Sequence, residues 1–95
     1  SAKTAIQGSN MPVISRFYGI LIIMYFNDHN PPHIHAKYAG YEAIFNFNKD
    51  VIEGELPARA RKFVQEWMQQ HQHELQENWE RARRGEPLNS IAPLE

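Results

Sequence analysis

From Ile20 to Phe26 the chain runs through seven consecutive apolar residues, rich in β-branched and aromatic types. Such a run predicts a buried strand, entered through Ile14, Phe17 and Tyr18, with Gly19 as a bulge or a point of close approach. Asn27-Asp28-His29-Asn30-Pro31-Pro32 ends it, because proline cannot donate to a strand ladder and Asn and Asp favour turns.

Beyond the prolines the period changes to two. With Ala39-Gly40 as a two-residue turn, His33 to Tyr38 pairs with Tyr41 to Asn46, and Phe47 extends the second strand. One face then carries Ile34, Ala36, Tyr38, Tyr41, Ala43, Phe45 and Phe47, and the other carries His33, His35, Lys37, Glu42, Ile44 and Asn46. Lys37 and Glu42 stand opposite each other as a cross-strand ion pair, and both histidines belong to the polar face. Val51 to Leu56 is a further short, edge-like extended segment.

From Pro57 the period becomes helical. Ala60, Phe63, Val64, Trp67, His71, Leu75, Asn78, Trp79 and Ala82 share one stripe, and Gly85-Glu86-Pro87 is the stop signal. An unbroken helix over 58–84 would be about 40 Å long, more than so small a domain can cover. It therefore bends near His71-Gln72-His73 or offers its far end as an interface. Trp67 and Trp79 fall on nearly the same helix side, and the tail with Leu88, Ile91 and Leu94 lies back along the helix or docks on a partner.

The expected fold class is α+β, an antiparallel sheet of three to four strands packed on one long or kinked C-terminal helix. Residues 11–95 form its single domain, and the small polar residues 1–10 are an expression remnant or a native disordered leader. The 95 residues contain no cysteine, which excludes disulfides, cysteine metal sites and thiol catalysis. A net charge of -1 argues against a protein whose main task is to coat nucleic acid and leaves room for a local basic patch. No apolar stretch reaches the roughly 20 residues of a membrane span, and a cytoplasmic location is the default.

The densest chemistry is Asp28-His29-Asn30-Pro31-Pro32-His33-Ile34-His35, which holds three of the five histidines. Side chains two apart on a strand point the same way, so His33 and His35 are neighbours over which His29 or Asp28 can fold. Three readings stay open. His33 and His35, with His29 and a supporting Asp28, form an acid/base group for cleaving a phosphodiester, for which imidazole titrates in the useful range. His29, His33 and His35 bind a divalent transition metal such as zinc, nickel or copper; in the other readings no cofactor is needed. Or the histidines belong to a solvated polar face and bond only their neighbours. Lys37 and Arg16 are candidate phosphate contacts beside them, and Glu42 belongs to the same face.

Met-Pro-Val-Ile-Ser-Arg-Phe-Tyr-Gly-Ile (11–20), Met-Tyr-Phe-Asn-Asp-His-Asn-Pro-Pro-His-Ile-His (24–35), Gly-Tyr-Glu-Ala (40–43), Gly-Glu-Leu-Pro (54–57) and Asn-Trp-Glu-Arg-Ala (78–82) stand along the chain from Met11 onward. On these stretches it resembles a family of small bacterial proteins, domain of unknown function 4160. Its members are commonly encoded beside a second small protein, domain of unknown function 2442, some versions of which carry a DNA-binding helix-turn-helix. The resemblance thus implies a toxin–antitoxin-like pair with this chain as the candidate toxin and a small cognate protein as its partner. In architecture the expected fold is also similar to small messenger-RNA-cleaving toxins of the double-stranded-RNA-binding-domain type, where the matching histidine would be His33 or His35. Those toxins are typically basic and begin with a helix, whereas this chain is near neutral and the sequence of its first ten residues does not read as one. The competing class is a non-enzymatic module that docks on its partner or on a second copy through the tryptophan helix and the Ile91/Leu94 tail.

Overall fold

The computed structural model describes residues 12–95. The leader assigned to residues 1–10 lies outside them. Five strands, β1 (Val13–Phe17), β2 (Ile20–Ile23), β3 (His33–Tyr38), β4 (Tyr41–Asn46) and β5 (Val51–Glu55), are followed by two helices, α1 (Ala58–Gln70) and α2 (Gln72–Arg83). The strands form one antiparallel meander in the order β1-β2-β3-β4-β5. The α+β class holds, with five strands where three to four are expected and two helices where one is.

The extra strand arises at Gly19. Tyr18 and Gly19 have φ of 51° and 80°, so they form the tight turn of a β1–β2 hairpin and not a bulge inside one long strand. A left-handed tyrosine costs about 1–2 kcal/mol. Its ring stands 4.8 Å from Phe63 and 6.2 Å from Phe17, aromatic pairs worth about 0.5–1.5 kcal/mol each. The apolar run therefore ends as a strand at Ile23, and Tyr25 and Phe26 leave the ladder.

The β3–β4 register is the one the alternation requires, from His33 opposite Asn46 to Tyr38 opposite Tyr41, with Ala39 and Gly40 both at positive φ. Ile34, Ala36, Ala43 and Phe45 are fully buried on the helix side of the sheet. Against them pack Ala60, Val64, Trp67 and Met68 of α1 and Leu75, Trp79 and Ala82 of α2.

His71, at φ -125° and ψ 30°, separates the helices, and Leu75 and Trp79 thereby join the same core as Trp67. The α2 end is a Schellman motif: Gly85 N–H donates to the Ala82 carbonyl and Glu86 N–H to the Arg81 carbonyl, with Gly85 at positive φ. The tail then lies back over the fold. Ile91 N–H donates to Ile14 O at 2.8 Å, and Trp67 Nε1–H donates to Ala92 O at 2.8 Å. Trp67, Trp79, Ile91 and Leu94 are all buried in the chain's own core, so they do not form the free docking surface that the spacing allows. Among the described residues no helix is long and apolar enough to cross a membrane.

Candidate functional site

Between β2 and β3 the chain crosses one end of the sheet, and two backbone bonds hold its start. Met24 N–H donates to Pro12 O, and Asn27 N–H donates to the Ala82 carbonyl at the end of α2. Asp28 follows directly, so its carboxylate is placed by a helix end as well as by its own loop. The Asn30–Pro31 peptide bond is cis.

His33 opens β3. Although strand alternation assigns it to the face away from the helices, it is only 2 % exposed: Trp79 packs on its ring at 5.4 Å and also meets Phe47. The ring stands between two oxygens, with Nδ1 2.6 Å from the Pro31 carbonyl and Nε2 2.9 Å from Asp28 Oδ2. His35, two residues on, repeats the arrangement. Its Nδ1 lies 3.2 Å from Glu42 Oε2, its Nε2 lies 3.7 Å from the same Asp28 Oδ2, and Tyr25 meets the ring edge-on at 4.7 Å. One donor atom from each of Asp28, His33 and His35 falls within 4.8 Å of the other two.

Burial pushes the Asp28 carboxyl up, but the His29 backbone N–H, the hydrogen bond with His33 and the nearby His33 and His29 rings outweigh it and hold it below the usual carboxylate range.

These groups line a cleft of about 340 Å³ with Tyr25, Phe26, Asn27 and His29 on one side and Ile44, Ile52 and Glu53 on the other. His29 is 82 % exposed in its side chain, its Nε2 3.7 Å from Asp28 Oδ1, so it borders the group at the mouth. Arg16 and Lys37 do not line the cleft; the register places them one row nearer the hairpin turns, in the series Arg16, Leu21, Lys37, Glu42, Glu55 across the five strands. The expected Lys37–Glu42 ion pair is absent among the described residues. Their Cα atoms are paired, but the Glu42 carboxylate turns to His35. Tyr25 and Glu53 are cleft residues that the sequence reading does not single out. Glu53 arrives because β5 pairs with β4, with Ile44 opposite both His35 and Glu53.

The arrangement offers two imidazoles and a carboxylate aimed at one point, at the edge of an open cleft. That suits proton transfer or the ligation of a cation.

No curated protein and no solved structure matches the chain. Residues 19–80, nearly two thirds of it, match the family model described as Domain of unknown function (DUF4160), a span that includes every cleft residue and α1. The chain belongs to that family.

Proposed function

We propose that the chain is the toxin component of a bacterial two-gene module and cleaves RNA at the cleft formed around Asp28, His33 and His35. The observation that supports it is the convergence of both imidazole Nε2 atoms on one carboxylate oxygen at the wall of an open cleft. RNA carries its own nucleophile in the 2′-hydroxyl, so a site that moves protons and offsets phosphate charge is sufficient to cleave it. Asp28 orients the two rings; His35, less enclosed than His33, is the group that meets the substrate.

The test is growth of a host expressing the chain alone and together with its neighbour-encoded partner. The wild type arrests growth and shortens cellular RNA, the partner relieves the arrest, and His35→Ala is harmless. A harmless wild type, or a fully toxic His35→Ala, overturns the proposal. His35 is the better probe than His33, whose buried ring supports Trp79 as well as the site.

A second reading, association of two copies, is favoured by the charge layout of the sheet face opposite the helices. Arg16 and Lys37 lie toward β1 and β3, while Glu42, Glu53 and Glu55 lie toward β4 and β5, so two copies related by a twofold axis place unlike charges together. Sedimentation at low salt then gives a dimer that dissociates as salt rises; a monomer at low salt and high protein concentration removes this reading.

A further inference from the structure

We infer that Asp28, His33 and His35 form a binding site for one divalent transition cation, of which zinc and nickel are the best matched, with Pro31 and Glu42 orienting the two imidazoles. The inference builds on the proposed cleavage reaction for its purpose, but the binding it asserts is measured without any substrate.

A neutral imidazole has one N–H. In both rings Nδ1 faces an oxygen that can only accept, the Pro31 carbonyl at 2.6 Å and the Glu42 carboxylate at 3.2 Å. With the proton held on Nδ1, as in a ligating histidine, each Nε2 has a lone pair to give a cation shared with Asp28 Oδ2, 2.9 and 3.7 Å away. Where no cation is bound, His33 Nε2–H donates to Asp28 Oδ2, and a cation entering the site displaces that proton. Anchoring the far nitrogen on a carbonyl or carboxylate while the near one faces the cation is the usual way a protein orients histidine ligands.

His35 Nε2 is buried and has no hydrogen-bond partner, which costs about 1–3 kcal/mol if it stays so. A cation ligated there removes the penalty.

Distance and charge agree with this. The three donor atoms lie within 4.8 Å of one another. Ligands about 2.0–2.2 Å from a tetrahedral ion are separated by roughly 3.4 Å, so small ring rotations close the set. Two nitrogens and one carboxylate oxygen suit zinc or nickel better than magnesium, which prefers oxygen and retains water. The fourth position opens into the cleft. Among the lining residues there are two carboxylates, Asp28 and Glu53, and no lysine or arginine. A phosphodiester entering such a cleft meets no permanently charged lysine or arginine, and a bound cation supplies both a fixed positive charge and an ionisable water.

The experiment titrates the chelator-stripped, untagged chain with zinc chloride and with nickel chloride in a calorimeter, with elemental analysis after gel filtration. One equivalent binds at micromolar or lower concentration, magnesium chloride does not compete, His35→Ala and Asp28→Asn each weaken binding at least 100-fold, and His73→Ala binds as the wild type does. Circular dichroism confirms that each variant is folded; Asp28→Asn and His35→Gln serve where an alanine variant is not. Less than a tenth of an equivalent bound, or binding unchanged in folded His35 and Asp28 variants, overturns the inference. If the chain is toxic yet binds no metal, the site assignment fails and the proposed function stands. If it binds one equivalent yet is harmless, the reverse holds.

Discussion

Glu42 and His35 are diagonal neighbours across the β3–β4 pair, and the Glu42 carboxylate, whose Cα stands opposite Lys37, reaches over to His35 Nδ1 at 3.2 Å. Long side chains bridge that diagonal readily. The choice of His35 over Lys37 has a consequence: a cross-strand ion pair at the surface is worth little, whereas a carboxylate behind an imidazole sets its tautomer and its aim. Glu42→Ala should therefore weaken zinc binding about 10- to 100-fold. Glu42→Gln, which retains an acceptor oxygen, should recover most of the loss. Calorimetric titration of the two variants checks this, and equal affinities in Glu42→Ala and wild type would contradict it.

The metal-free protein should show an acid limb that belongs to Asp28. Its folded-state carboxyl is held below the usual range, so the stability it contributes is present above about pH 4 and is lost as pH falls through the lowered folded-state value. Asp28→Asn lacks this contribution at every pH. The melting-temperature gap between wild type and Asp28→Asn should be widest near pH 6 and close toward pH 3. A gap that stays constant across that range would show that the carboxylate is not the source.

Asn78 is fully buried on α2 and holds the tail by two bonds: its Nδ2–H donates to Asn89 O at 2.8 Å and its Oδ1 accepts from Asn89 N–H at 2.9 Å. Asn78→Leu keeps an apolar helix face but leaves both Asn89 groups without a partner. Denaturant unfolding should report a loss of about 2–4 kcal/mol. Because the tail lies over Trp67 and β1, the loss should be accompanied by faster amide exchange at Ile91.

Gly54 sits at φ +76° on β5, and a Cβ added there would come within 2.2 Å of the Glu42 carbonyl oxygen. Backbone cannot yield cheaply at that distance. Gly54→Ala should destabilise the fold by at least about 2 kcal/mol, read from denaturant midpoints. As the displaced backbone is that of Glu42, the variant should also bind zinc more weakly than the wild type.

How much of this was legible before folding depends on range. The β3–β4 hairpin is encoded locally, in a two-residue turn and a period-two alternation, and its register follows to the residue. The helical stripe and its stop at Gly85 are likewise local, and so is the density of Asp28, His29, His33 and His35 in one short stretch. The Tyr18-Gly19 turn was hidden because the apolar run continues through both strands and an aromatic residue rarely takes positive φ; Phe63, far along the chain, stabilises it.

Tertiary structure alone decided which of the candidate residues converge. Alternation placed His33 and His35 on one face, but it did not set His29 outside and Asp28 within reach of both rings; the bond from Asn27 to the end of α2 and the packing of Trp79 on His33 do that. It also assigned Glu42 to His35 instead of Lys37, brought Glu53 to the cleft through β5, and used Trp67, Ile91 and Leu94 to close the core. Periodicity reports which side a residue faces, a property of neighbours a few positions apart. Which side chains meet across a cleft depends on strand order, on where a helix breaks and on what the tail covers, and those are set by packing of the whole chain.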